Sequence, residues 1–175
     1  MTTESLQARG EEKVSDEISA DNAITEVYKK YNKMIYQVSY SYMKNPADAE
    51  DIVADVFVNL IKSGVKFQSG EHEKAWLLRA AINLCKNNLK HWRRKSVDID
   101  GCDNLQSESQ FNISDTLKAV MNLPERYKAA IYLYYYEGYT TAEIAQILKK
   151  PHSSIRVHLH EARRLLKEVL SENEE

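Results

Sequence analysis

The hydrophobic residues of this chain recur at steps of three and four positions, which is the period of an amphipathic α-helix. One such stripe begins after Asp21 and consists of Ile24, Val27, Tyr28, Tyr31, Met34, Ile35, Val38 and Tyr42. Asn45 and Pro46 then supply a capping residue and a proline suited to the first helical position, so a second helix is expected to run to about Ser63. Its predicted inward side chains are Ile52, Val53, Val56, Phe57, Leu60 and Ile61. These patterns predict an all-α fold.

A third helical pattern covers residues 74–95 and is basic as well as amphipathic. It contains seven Lys or Arg and no Asp or Glu. The predicted inward stripe is Leu77, Ala80, Ala81, Leu84, Asn88 and Trp92, and the predicted outward strip is Arg79, Asn83, Lys86 or Asn87, Lys90 and Arg94. Like charges on one helix repel each other, so a polyanion is the simplest partner that makes this arrangement favourable. A solvated basic face is the alternative interpretation.

The segments between the helices divide the chain into domains. Glycines interrupt the periodicity between Ser63 and Glu73, which predicts a loop before the basic helix. Phe67 in this loop is suited to stacking on a base or, as an alternative, to filling the helical core. Residues 1–21 are acidic and aperiodic, which indicates a disordered tail, and residues 96–113 have the composition of a flexible linker. The predicted domains are therefore two small helical ones, residues 22–95 and 114–172.

Two further helices are predicted directly after the linker. Ser114 can cap the first of them, and Pro124 opens the second, with Gly138 as its stop. The hydrophobic residues of the first are Leu117, Val120 and Met121. The second contains an aromatic run, residues 132–136, which is interpreted as mostly core.

The next two helices have the pattern of a helix-turn-helix. Thr140 and Glu143 form a capping-box pair ahead of a short helix that stops before Pro151. Ser153 or Ser154 is the predicted cap of the long helix that follows. The outer side of that helix is predicted to carry Arg156, Val157, His160, Glu161, Arg163, Arg164 and Lys167. Its first residues are placed to enter a major groove, and the later cations to meet phosphates.

Charge and composition narrow the class of protein. The net charge of −2 averages over segregated blocks, because acidic segments separate the two basic helices. Cys85 and Cys102 are the only cysteines, which argues against a disulfide framework and fits the reducing cytoplasm. No apolar run approaches the ~20 residues that span a bilayer, so no membrane insertion is expected.

The sequence contains no grouping of residues typical of catalysis. No nucleophile, base and orienting group occur together, and no glycine-rich phosphate loop is present, so neither an enzyme nor a cofactor is expected. His158 and His160 are two positions apart on a predicted helix and point to different sides. A metal site is therefore not expected either.

Three stretches of the chain resemble the extracytoplasmic-function (ECF) subgroup of bacterial RNA polymerase sigma factors. Residues 47–62, ADAEDIVADVFVNLIK, look like the core-binding helix of that family, and residues 75–95, AWLLRAAINLCKNNLKHWRRK, look like its promoter-melting helix. Residues 123–148, LPERYKAAIYLYYYEGYTTAEIAQIL, together with residues 153–166, SSIRVHLHEARRLL, look like sigma region four. The three stretches follow one another in the order and spacing of the family.

The resemblance implies two helical domains, sigma regions two and four, and three sets of binding residues. Contacts with core RNA polymerase are implied for Asp48, Asp51, Asp55 and Asn59. Contacts with the minus-ten element of promoter DNA are implied for Phe67, Arg79, Asn83, Lys86, Asn87, Lys90, Arg93 and Arg94. Contacts with the minus-thirty-five element are implied for Ser153, Ser154, Arg156, Val157, His158, His160, Glu161, Arg163 and Arg164.

The expected function is that of a sigma factor, which binds core polymerase, directs it to a promoter and helps to melt the DNA. An anti-sigma factor is a further expected partner. Two alternatives stay open on the residues themselves. One is a helix-turn-helix regulator that acts on DNA without polymerase, and the other is a helical adaptor that binds only proteins.

Overall fold

The structure is a computed structural model that describes the backbone of residues 3–95 and 115–172, and the side chains of residues 22–94 and 117–168. These residues form seven α-helices and no strand, which confirms the predicted all-α fold. The helices are α1 (Thr3–Met43), α2 (Pro46–Ser63), α3 (Gly70–Lys95), α4 (Asp115–Asn122), α5 (Glu125–Tyr135), α6 (Thr141–Leu148) and α7 (His152–Glu172). The predicted linker, residues 96–113, lies outside the described residues.

The chain divides into two units, Met1–Lys33 and Met34–Glu175. In the first unit, Glu26 and Lys29 form an ion pair across one turn of α1, with 3.0 Å between the carboxylate and the ammonium group. The backbone is helical from Thr3 onwards, whereas a tail without regular structure was expected there. The segment lacks proline and contains four Glu and two Ala together with Leu6, Gln7, Arg9 and Lys13, residue types whose helix propensity is high even where no apolar stripe exists.

The first part of the larger unit contains the end of α1 with α2 and α3. Asn45 caps α2 as predicted: its side-chain oxygen accepts from the backbone N–H of Ala47 at 2.9 Å and of Asp48 at 3.3 Å. The buried side chains of α2 are Ala49, Ile52, Val53, Val56, Phe57 and Leu60. The prediction that Ile61 faces inward is wrong, because its side chain is 60% exposed.

Helix α3 differs from the prediction in its start and in its phase. It begins at Gly70, inside the predicted loop, because the Ser69 hydroxyl accepts from the N–H of His72 at 3.1 Å and caps the helix. The fully buried residues of α3 are Leu77, Leu78, Ala81, Ile82 and Cys85. Trp92 was predicted to face inward, but it is 41% exposed. The buried stripe is therefore rotated from the predicted one toward Leu78 and Ile82.

The second part of the larger unit contains α4 to α7 around a core of its own. Its fully buried residues include Ala130, Ile131, Tyr132, Leu133, Ile144, Ile155 and Ala162. The capping box of α6 is confirmed: the Thr140 N–H donates to the Glu143 carboxylate at 2.8 Å, and the Glu143 N–H donates to the Thr140 hydroxyl at 3.3 Å. The pKa of the Glu143 carboxyl is accordingly lowered by the hydrogen bonds from Thr140.

The turn of the helix-turn-helix is built on a residue other than glycine. Lys149 follows α6 with φ of 51°, in the left-handed region that glycine usually occupies at helix ends. Helix α7 then begins at His152, and the Pro151 carbonyl accepts from the N–H groups of Ser154 and Ile155. The prediction that Ser153 or Ser154 caps α7 is wrong, because both serines already lie within its first turn.

Candidate polymerase and nucleic-acid interfaces

The predicted core-binding residues lie along one side of α2. Asp51, Asp55 and Asn59 are exposed, and Asp48 is half-buried. Burial raises the pKa of the Asp48 carboxyl, and the nearby charge of Asp51 raises it further. Two hydrophobic side chains of the same helix are exposed: Val58, at 42% exposure, follows Asp55 by one turn, and Ile61 is 60% exposed. Exposed hydrophobic side chains rimmed by polar ones can mark a surface that binds another protein.

A groove between α2 and α3 brings together several of the predicted minus-ten residues. Its volume is about 260 Å³, and it is lined by Asn59, Trp76, Arg79, Ala80, Asn83, Leu84 and Asn87. Arg79, Asn83 and Asn87 thus offer a guanidinium and two amides, which can donate to base edges and phosphates, and the amides can also accept. Asn59 connects this groove with the acidic strip on α2.

Trp76 is a residue of this groove that the sequence patterns did not single out. Phe67 lies edge-on to Trp76, with 5.9 Å between ring centroids, and also to His72, with 5.5 Å. Phe67 belongs to the loop before α3 and is half-buried, because its ring packs against the indole of Trp76. The sequence did contain a signal for Trp76, namely an aromatic residue at the start of a basic helix. Such a residue is a candidate for base binding, because an indole face can stack on a base.

The other predicted minus-ten residues lie outside the groove. Lys90 and Arg94 are exposed. Arg93 forms an ion pair with Glu125 of α5, with 2.6 Å between the guanidinium and the carboxylate. Lys86 is half-buried, and its pKa is lowered by burial and then by the charge of Lys150. Lys86 and Arg93 therefore lie toward the second part of the unit, whereas Lys90 and Arg94 remain open to solvent.

A larger groove of about 790 Å³ runs along the outer side of α7. It is lined by Tyr134, Thr141, His152, Ser153, Arg156, Val157, Leu159, His160, Glu161 and Arg163. Arg156, Val157 and His160 are exposed at the beginning of the helix, where a recognition helix contacts base edges. Six of the nine predicted minus-thirty-five residues thus share one groove.

Arg163 and Arg164 are held by neighbouring side chains. The guanidinium of Arg163 lies 5.2 Å from the ring centroid of Tyr134, and its Nε donates to the Tyr135 hydroxyl at 2.9 Å. Arg164 donates to Glu161 and to Glu168, at 3.2 Å and 2.7 Å. The hydrogen bond to Tyr135 raises the pKa of Arg163, and the one to Glu161 raises the pKa of Arg164. Both arginines therefore keep their positive charge, but the guanidinium of Arg164 is already paired with two carboxylates.

Two predicted minus-thirty-five residues, His158 and Ser154, are half-buried and do not line the groove. The His158 ring lies edge-on to Tyr127, with 5.6 Å between ring centroids. Its pKa is lowered, first by burial and then by the charges of Lys150, Arg126 and Lys86. A half-buried neutral imidazole is better suited to packing than to contact with a phosphate.

The histidines near the turn make contacts of different kinds. His152 Nε2 lies 2.7 Å from the Thr141 hydroxyl, which ties the start of α7 to the start of α6. In the part of the chain that the structure describes, no three His, Cys, Asp or Glu side chains lie close enough to hold a metal ion. None of its helices combines the length and apolarity needed to cross a membrane.

Comparison with known families places this chain in a defined class of protein. The model of sigma-70 region 2 matches residues 27–96, and the model of sigma-70 region 4 matches residues 114–166. The first range contains the acidic strip and the smaller groove, and the second contains the helix-turn-helix with the larger groove. The fold is thus that of a sigma-70-type transcription initiation factor.

Individual relatives define the subgroup. The chain is 25% identical over 170 residues to the ECF RNA polymerase sigma factor SigW of Bacillus subtilis, covering 85% of this chain and 89% of that protein. It is 28% identical over 142 residues to the RNA polymerase sigma factor SigV of Bacillus subtilis, covering 79% and 86%. The protein belongs to the ECF subgroup of RNA polymerase sigma factors.

A solved structure shows the same fold. The sigma factor RpoE of Bartonella quintana, in complex with the anti-sigma factor NepR, matches with a TM-score of 0.66 at 21% identity. The match covers 84% of this chain and 96% of that chain. At this identity the likeness shows the arrangement of the helices alone.

Proposed function

We propose that this sigma factor uses three separate surfaces: the α2 strip for core RNA polymerase, the α2–α3 groove for the minus-ten element, and the α7 groove for the minus-thirty-five element. The proposed domains are region two, residues 22–95, and region four, residues 114–172. The protein itself carries out no chemistry in this role. It acts with polymerase in the cytoplasm and is a candidate for control by an anti-sigma factor.

The proposal rests on one observation: the acidic strip on α2 and the groove between α2 and α3 are neighbours but differ in chemistry. Asp51 and Asp55 are exposed acids beside exposed Val58, which is unfavourable for contact with DNA but suitable for a basic, partly apolar protein surface. The neighbouring groove is lined by Arg79 and three asparagines and by no carboxylate. A helix pair built in this way can hold a protein on one side and a nucleic-acid strand on the other.

The α2–α3 groove is proposed to hold an unpaired base of the melted minus-ten element. Extruding a base from the stack costs a few kcal/mol, which stacking and hydrogen bonds in a pocket can offset. Trp76 supplies an aromatic face, while Asn83 and Asn87 supply donors and acceptors for the edge of the base. Arg79 lies in the same groove and can neutralise a phosphate.

The α7 groove is proposed to read the minus-thirty-five element in the major groove. Arg156 and His160 can bond base edges, and Val157, which is 57% exposed, can contact a thymine methyl group. Arg163 lies about two turns further along the helix, which suits it to a phosphate. The stacking of its guanidinium on Tyr134 keeps the planar group at the side of the groove.

The core-binding surface can be tested by charge reversal on α2. Asp51→Lys and Asp55→Lys place cations where a basic partner is expected, and like charges at an interface cost several kcal/mol, so affinity for core polymerase should fall by at least about a hundredfold. Binding is measured by competition with labelled wild-type protein for core enzyme. Glu50→Lys is the matched control, because Glu50 is an exposed acid on the same helix outside the strip. Equal losses in all three variants, or none in any, would contradict the assignment.

A further inference from the structure

Arg163 and Arg164 are adjacent in α7 but have different surroundings. The guanidinium of Arg164 is paired with Glu161 at 3.2 Å and with Glu168 at 2.7 Å, one turn away on either side. Among the side chains that the structure describes, no carboxylate forms an ion pair with Arg163, whose partners are tyrosines. The charge of Arg164 is therefore balanced within the protein, whereas that of Arg163 is available to an anion from outside.

The guanidinium of Arg163 lies beside two tyrosine rings at the end of α5. It is 5.2 Å from the ring centroid of Tyr134 and 5.7 Å from that of Tyr135. The two rings are themselves in edge-to-face contact, with 5.0 Å between centroids and 71° between planes. Aromatic faces attract a cation without neutralising its charge. The tyrosines can therefore fix the guanidinium and leave it positive.

A hydrogen bond sets which edge of the guanidinium remains for a ligand. Nε of Arg163 donates to the Tyr135 hydroxyl at 2.9 Å, which leaves the four N–H groups on the two terminal nitrogens. Two parallel N–H groups of an arginine match two oxygens of one phosphate. Arg163 is exposed, and Tyr135 is 54% exposed, so an anion can approach this cluster from solvent.

The position of Arg163 along α7 identifies the anion. Arg156, His160 and Arg163 follow one another at steps of four and three, and all three line the α7 groove. At a rise of 1.5 Å per residue, Arg163 lies about 10 Å along the helix axis from Arg156. When the first residues of a recognition helix contact base edges, a cation this much further along meets the sugar–phosphate backbone. The anion is thus a phosphate of the DNA.

We propose that Tyr134 and Tyr135 are positioning residues, which hold the guanidinium of Arg163 for one particular phosphate of the minus-thirty-five element, and that Arg164 contacts no phosphate of that element. The inference rests on the proposed function, because it requires α7 to bind this element. An arginine that is already fixed loses less freedom when it binds than a mobile one does. Fixing one long side chain in advance corresponds to about a two- to tenfold gain in affinity.

Neutralising single phosphates tests the assignment to Arg163. The complex of the full-length protein with core RNA polymerase is bound to duplexes of a promoter found by run-off transcription, each with one methylphosphonate in the minus-thirty-five element. For the wild type, several of these substitutions should lower the affinity, measured by competition with unmodified duplex. Arg163→Gln should abolish the loss at one phosphate and preserve the others. Arg164→Gln removes the same charge but should preserve the loss at every phosphate.

Tyr135→Phe tests the positioning role, because it removes the hydroxyl and keeps the ring. It should lower affinity for the unmodified duplex by about two- to tenfold and reduce the loss at the phosphate assigned to Arg163. With Arg163→Gln already present, the same change should have no effect. Tyr28→Phe removes a hydroxyl from an exposed tyrosine of α1 and serves as the matched control, with unchanged affinity.

Tyr134 can be tested by separating its ring from its hydroxyl. Tyr134→Phe keeps the aromatic face under the guanidinium and should keep the affinity. Tyr134→Leu removes that face and should lower the affinity by about two- to tenfold, but only while Arg163 is present. A purely structural role of either tyrosine would lower affinity by the same factor on every duplex, with or without Arg163.

The outcomes separate this inference from the proposed function. Equal effects of the tyrosine variants with and without Arg163, or no phosphate whose loss depends on Arg163, would overturn the positioning role. Loss of a phosphate effect in Arg164→Gln would overturn the division between the two arginines. A wild-type complex that binds equally well to every methylphosphonate duplex would refute the minus-thirty-five assignment itself, and the inference with it.

Discussion

At the scale of single residues, Lys128 is the one charged side chain that is buried among the described residues, at 4% exposure. Its pKa is lowered to about 8, chiefly by burial and next by the charge of Lys44, while the charge of Glu125 acts in the opposite direction. The Tyr42 ring centroid lies 5.6 Å from its ammonium group. A lysine in this position costs stability while it is protonated, and its hydrogen bond to the Ser41 carbonyl, at 2.7 Å, offsets part of that cost.

Stability should therefore rise with pH because of Lys128. Between its pKa of about 8 in the folded protein and the usual 10.5, the unfolded chain binds the proton and the folded chain does not, so the folded state gains. From pH 7.5 to pH 9.5 the gain should be about 2 kcal/mol relative to Lys128→Met. Urea unfolding of both proteins at both pH values measures the difference, in which other titrating groups largely cancel. An identical pH dependence in the two proteins would contradict the assignment.

Individual site residues were predictable where their exposure follows from helix period alone. Asp51, Asp55, Arg156 and Val157 are exposed as the patterns indicate. Others depend on neighbours from distant parts of the chain. Nothing local to Arg93 indicates that Glu125, 32 positions away, pairs with its guanidinium. His158 was expected at the DNA surface, but Tyr127 of another helix covers one edge of its ring.

At the scale of the elements, caps fix the position of the helix-turn-helix. The reciprocal Thr140 and Glu143 hydrogen bonds begin α6, and the left-handed Lys149 ends it. The Pro151 carbonyl then accepts the first bonds of α7. Together these residues set where the exposed face of α7 starts, and hence which of its side chains enter the groove.

The two capping assignments can be separated by stability measurements. Thr140→Ala removes a cap and should cost about 1 kcal/mol, which for a chain of this size lowers the melting temperature by roughly 2–4 °C. Ser153→Ala should change stability by less than about 0.5 kcal/mol, because Ser153 is exposed within the first turn of α7 and caps nothing. Thermal unfolding followed by circular dichroism checks both. A larger loss of stability in Ser153→Ala than in Thr140→Ala would show that Ser153 caps α7 and that the helix begins after it.

Helix starts were predictable where the capping signal is local and unambiguous. Asn45 with Pro46, and Thr140 with Glu143, are such signals, and both begin helices as expected. The Ser69 cap of α3 was missed because Gly70 follows it, and glycine there is more typical of a loop. The phase of α3 was misjudged because two of its buried residues, Ala81 and Cys85, are small and give only a weak apolar signal.

At the scale of the whole molecule, the larger unit combines an acidic strip on α2, which we propose binds protein, with two grooves, which we propose hold a single strand and a duplex. The all-α class and the order of the regions were predictable, because each region contains its own apolar periodicity and family pattern. The docking of the regions was not predictable, because it depends on a few long-range pairs such as Lys74 with Glu137. A single charged residue does not produce a repeating pattern in the sequence from which its partner could be predicted.

The most direct test of the central claim is run-off transcription with core RNA polymerase and fragments of the source genome. The account predicts transcripts with defined start sites that appear only when this protein is added, and that are lost in Asp51→Lys. They should also weaken when the promoter position read by Arg156 is altered. Transcription by core enzyme that is the same with and without the protein, while the protein binds DNA on its own, would contradict the account and favour a regulator that acts without polymerase.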